Sequence, residues 1–140
     1  MTAIDNALRR SRSPWLVATV FVVAGVLHFT SAPFYLTMMP PWLPEHSLLI
    51  QLSGAAEILG GLGVLASRTR RAAGWGLIAL LVAVFPANVQ LLQNAIEAQA
   101  SLLWITALVA RLPLQFVIGR WVWRVAVRVR PPRAGEATTG

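Results

Sequence analysis

The chain has 140 residues, 56% of them hydrophobic and 12% charged, with a mean hydropathy of +0.64 and a formal net charge of +7. Soluble domains carry about 25% charged residues, so this composition excludes an ordinary water-soluble fold. The absence of cysteine excludes structural disulfides, thiolate metal sites and any dithiol relay within the chain.

In chain order, residues 1–13 form a basic tail with Arg9, Arg10 and Arg12, expected to lack regular structure. A nearly uncharged stretch follows at 14–32. It is longer than a signal-peptide core, and Pro33 directly after Thr30-Ser31-Ala32 argues against cleavage there, so a retained helix is expected. The next segment, 33–46, holds four prolines, which bar a regular helix across it. It is nonetheless strongly apolar. Tyr35 and Trp42 suit the membrane–water boundary, and the segment is either a connector lying on the interface or a lid folded back over the bundle.

Three further apolar stretches occupy 47–66, 72–93 and 101–119. Each of the four is about 20 residues, the length a helix needs to cross a hydrocarbon core of roughly 30 Å. Small residues crowd the second (Gly54, Ala55, Ala56, Gly60, Gly61, Gly63) and open the third (Ala72, Ala73, Gly74, Gly76), which suits close helix approach. Pro86 and Pro113 are expected to kink their helices and to free a carbonyl one turn earlier. Residues 121–140 make a basic juxtamembrane segment and an irregular tail. The expected architecture is therefore an all-α integral membrane four-helix bundle over 14–120.

Eleven of the twelve basic residues, all arginines, cluster before the first span, between the second and third, and after the fourth. The two opposite loops hold no Lys or Arg, and carry Glu45 and Glu97. By the positive-inside rule both chain ends face the cytoplasm. The +7 charge is then explained by anionic lipids of the cytoplasmic leaflet, with no nucleic-acid partner.

Arg111, the twelfth, lies inside the last span, about 15 Å below its outer end, and Glu57 lies at about the same depth in the second span. Buried charges at that level cost roughly 2.5–3 kcal/mol each, so a bidentate Glu57–Arg111 pair is expected. Gln115 sits one turn from Arg111 on the same face. His28 and Asn88 lie higher, some 6–8 Å below the outer boundary, with Asn88 favoured over Gln90 as the inward-facing residue. Together they suggest a polar funnel open to the outside, with Glu57 and Arg111 at its floor, Gln115 beside them, and Tyr35 and Trp42 above it as lid residues. A scaffold in which the same residues merely tie helices together is the competing reading. Two separated histidines without cysteine make no metal site, and His46 receives no role. No phosphate-binding loop, dinucleotide motif, nucleophile elbow or HExxH is present, so no catalytic residue is assigned.

The segments Ala24-Gly25-Val26-Leu27-His28-Phe29, Met39-Pro40-Pro41-Trp42-Leu43-Pro44, Ser53-Gly54-Ala55-Ala56-Glu57, Phe85-Pro86-Ala87-Asn88 and Arg111-Leu112-Pro113-Leu114-Gln115 resemble the DoxX-like family of small four-helix bacterial membrane proteins. The resemblance covers roughly 15–120. It implies a location in the bacterial inner membrane, His28, Glu57, Asn88 and Arg111 as characteristic positions, and an association with membrane redox processes. Some related four-helix proteins work through paired cysteines, which this chain lacks.

Three functions follow as expectations. The first is binding of a quinone or other small lipophilic molecule in support of a redox system. The second is a non-catalytic subunit or assembly factor of a larger complex, and the third is a small-solute transporter acting as a homodimer.

Overall fold

The structure, a computed structural model, describes residues 3–128, with side chains over 13–128. The described residues form five α-helices and no strand: α1 (Ala3–Thr30), α2 (Ala32–Leu36), α3 (His46–Leu65), α4 (Arg70–Glu97) and α5 (Leu102–Val122), the last running into a π-helical turn at Trp123–Val127. Four of them (α1, α3, α4 and α5) are long and apolar enough to cross a membrane.

The boundaries differ from the expected spans in three places. Helix α1 begins at Ala3, ahead of the expected end of the tail, because the segment between Ala3 and Pro14 contains no glycine or proline. Helix α4 runs to Glu97 and absorbs most of the expected second loop, ending where Gln99 takes a left-handed φ of 48°. The proline-rich segment contains one short helix, α2, started by Pro33, whose fixed φ and missing N–H suit a first helical turn. The anchoring expected of Arg9, Arg10, Arg12, Arg130 and Arg133, and the tail 129–140, lie outside the described residues or side chains.

The long helices pack in sequence, α1 on α3, α3 on α4 and α4 on α5, while α1 and α5 scarcely meet except where the π-helical turn reaches back to α1. The α1–α3 contact is the closest. A Cβ on Gly25 would stand 2.6 Å from the Gly54 carbonyl oxygen, and one on Gly61 would stand 3.0 Å from that of Ala18. The seven-residue spacing of Gly54 and Gly61 on α3 matches that of Ala18 and Gly25 on α1, so two small-residue stripes meet antiparallel. Gly60 instead faces Leu77 of α4, and Gly74 faces Ala126.

The buried apolar side chains form two separate clusters. One, at the α3–α4 turn end, joins all four long helices through Val17, Phe21, Val64, Leu77 and Val122, with Ala126 of the π-helical turn. The other, at the opposite end, joins Met38 from the loop after α2 to Leu91, Ala95 and Leu108. The polar residues of the bundle lie between them.

Candidate functional site

A cavity of about 360 Å³ separates the two clusters. His28, Glu57, Asn88 and Arg111, from the four long helices, all border it, as does Tyr35 from α2. The rest of the wall is mainly apolar, from Ala24 on α1 to Ile50 on α3 and Val84 on α4.

The α1–α3 stripe sets the position of Glu57. Ile50, Gly54, Glu57, Gly61 and Val64 are the buried residues of α3, so the carboxylate lies on the face that closes against α1. It is 8% exposed, and its Oε2 lies 3.2 Å from His28 Nδ1. The same Nδ1 donates to the Ala24 carbonyl at 3.0 Å. A carbonyl can only accept, so the proton is on Nδ1 and is directed along that bond. Glu57 Oε2 therefore has the ring as a neighbour and no hydrogen bond of its own.

The expected Glu57–Arg111 ion pair does not form. The basic group beside Glu57 is instead His28, 3.2 Å away and an ion-pair partner only when its ring is protonated, and Arg111 is exposed on the flank of α5 while bordering the cavity. Equal depth brings the two groups to one level, but α4 stands between α3 and α5 in the packing order. The groups face a shared hollow instead of each other.

Asn88 and Gln115 form a second polar link. Asn88 Nδ2 donates to Gln115 Oε1 at 2.7 Å, and Gln115 Nε2 donates to the Leu81 carbonyl. That carbonyl is adjacent to the one Pro86 deprives of its N–H, that of Val82. Gln115 is buried and lies behind Asn88 rather than on the cavity wall. The bond takes up the Asn88 amide N–H and leaves its Oδ1 as an acceptor for the hollow. Gln90 is engaged elsewhere, donating to Asn94, which in turn holds the Thr37 carbonyl at 2.8 Å.

The proline-rich segment folds over the end of the cavity remote from the α3–α4 turn. The Tyr35 ring stacks on His28 with centroids 4.0 Å apart. Burial pushes its phenol above the ordinary value, an effect the Glu57 charge reinforces and Arg111 opposes, so the hydroxyl is a donor at neutral pH. Met38 is buried, and His46 Nε2 lies 3.1 Å from the Pro40 carbonyl, which fixes the turn. Trp42 is 69% exposed and does not border the cavity. The funnel expected to open outward is thus covered at that end by Tyr35, Met38, Met39 and Leu43. Ser53, not singled out in the sequence, also lines the cavity; its place one turn before Glu57 is the signal that points to it.

Four helices long and apolar enough to cross a membrane, around an internal, mixed-polarity cavity with a folded-over loop, define a small all-helical protein with an intrabundle site. The chain belongs to a family described as a domain of unknown function (DUF8561), whose model matches residues 17–126. No curated protein and no solved structure matches it.

Proposed function

We propose that this is a bacterial inner-membrane protein, with both chain ends in the cytoplasm, that binds a small lipophilic molecule in the cavity in support of a membrane redox system. The ligand class we favour is quinone-like. One observation carries the reading: Glu57 Oε2 is buried without a hydrogen bond, although a buried polar atom costs about 1–3 kcal/mol unless a partner satisfies it. Arg111, on another side of the same hollow, has no carboxylate within ion-pair distance among the described residues. A compact ring with oxygen functions at opposite ends meets both needs. Arg111 donates to one oxygen, and Glu57 accepts from a hydroxyl or from a bridging water at the other.

The redox association rests on the resemblance to the DoxX-like family at His28, Glu57, Asn88 and Arg111. The proposed orientation rests on the arginine distribution, with Arg68, Arg71, Arg120, Arg124 and Arg128 at the end given to the anionic leaflet. Purification in mild detergent, followed by extraction of bound small molecules, tests the reading. A quinone or similar lipophile should accompany the wild type and be lost from Arg111→Ala. If nothing accompanies the wild type and no added quinone binds it, the reading fails.

A further inference from the structure

We infer that the cavity is loaded sideways from the lipid bilayer through the gap between α1 and α5, and that its ligand is an amphiphile whose head sits against Arg111 while its hydrocarbon tail stays in the membrane. The inference rests on the proposed membrane-spanning, ligand-binding reading and adds the route and the molecular shape to it.

The route follows from which walls are closed. Toward the cytoplasmic end, Val17, Phe21, Val64, Leu77 and Val122 fill the bundle from all four long helices. Toward the outer end, Met38 is 4% exposed and packs with Leu91, Ala95 and Leu108, while Tyr35 covers His28. Asn94 ties this loop to α4 through the Thr37 carbonyl. Between α1 and α3 the backbones approach too closely to admit a Cβ at Gly25 or Gly54. Helices α3 and α4 pack directly on each other, with Leu77 filling the space beside Gly60 below the cavity, and α4 and α5 are joined by Asn88 and Gln115.

One side remains. Helices α1 and α5 barely touch above the π-helical turn, and Arg111 is the α5 residue that borders the cavity. Arg111 is at once cavity-lining and exposed, so the hollow reaches the flank of the bundle at its position. Leu108 and Gln115 on one edge of Arg111 are buried, whereas Ala107 and Leu114 on the other are exposed. The doorway therefore lies at the middle of a span, where the surrounding solvent is hydrocarbon.

The molecular shape follows from volume and polarity. A cavity of about 360 Å³ is near the lower end of small-molecule sites and accommodates a ring-sized head. A guanidinium at a hydrocarbon doorway is costly when it has no partner. A head that accepts from Arg111 and carries its tail outward between Val20, Leu27 and Leu114, all exposed, satisfies the cation and keeps the tail in lipid.

The test uses no ligand. The protein is reconstituted in phosphatidylcholine–phosphatidylglycerol vesicles whose acyl chains carry a mid-chain diazirine, irradiated, and mapped by mass spectrometry. Lateral loading predicts carbene adducts on Ser53 and on buried Glu57 as well as on outward-facing Leu59 and Val82. Arg111→Trp, which plugs the doorway with an indole, should abolish the Ser53 and Glu57 adducts and spare the outward ones. Adducts confined to outward-facing residues of the wild type overturn lateral loading, yet leave the cavity available as a binding site. Interior adducts that persist undiminished in Arg111→Trp overturn the α1–α5 gap as the route. Interior labelling in a protein that binds no lipophile removes the binding function alone.

Discussion

Substituting Gly54 by alanine tests whether the α1–α3 contact holds the site together. An added Cβ would lie 2.7 Å from His28 Cβ, 2.8 Å from the Phe29 ring and 2.9 Å from the Gly25 carbonyl oxygen, where ordinary contact begins at 3.4 Å. The Phe29 ring can turn aside, but His28 Cβ and the Gly25 carbonyl are fixed to the α1 backbone. The helices must therefore part by about 0.7 Å, an overpacking of the kind that costs about 1–3 kcal/mol. Gly76 is the internal control, because a Cβ there meets nothing within 4 Å. Alanine at that position gains only helix propensity, at most about 1 kcal/mol. Both glycines are helical and gain the same propensity, so reversible unfolding in mixed detergent micelles should place Gly54→Ala about 1–3 kcal/mol below Gly76→Ala. Equal stability of the two variants would refute the close backbone contact, and with it the account of how Glu57 is held against His28.

Two further outcomes are expected in the same unfolding assay. A double-mutant cycle on Asn88→Ala and Gln115→Ala should give a coupling near 0.6 kcal/mol and below about 1.7 kcal/mol. Gln115→Ala should be the more damaging of the two single changes, because Gln115 also holds the Leu81 carbonyl; zero coupling would dissolve the link. Arg70→Ala removes Nε and a guanidinium amine from the carbonyls of Val64 and Leu65, at 2.7 and 3.0 Å. Those carbonyls end α3 beside the exposed α3–α4 turn, so the loss should be about 1 kcal/mol, with Arg70→Lys recovering part of it. An unchanged Arg70→Ala would show that this cap is dispensable.

Most of the long helices were legible in the sequence because the hydrocarbon thickness imposes a length and a composition that few soluble segments meet. A fixed rise per residue put Glu57 and Arg111 at matching distances along their helices, and both border one cavity. Which groups pair at that level was not, since pairing depends on helix order and rotation. The glycine stripe turns Glu57 toward His28, and α4 intervenes before Arg111 is reached. The proline-rich segment was half legible. Its prolines and apolar character suggested a lid, but the stacking of Tyr35 on His28 and the solvent-facing position of Trp42 are set by where α2 docks. Helical spacing makes Gln115 a neighbour of Arg111, whereas its engagement with Asn88 depends on contact between two different helices.

The division of the apolar packing into two clusters with a hollow between them has a thermodynamic consequence. A single continuous core melts as one unit, but here the cluster around Met38 can open without disturbing the six residues that close the end at the α3–α4 turn. Amide exchange should accordingly fall into two tiers, slow around Val17, Leu77 and Val122 and faster around Met38, Leu91 and Leu108. A molecule lodged in the hollow would bridge the tiers. Its occupancy would then be recorded as stiffening of the half around Met38, a change in dynamics that needs no movement of the average structure.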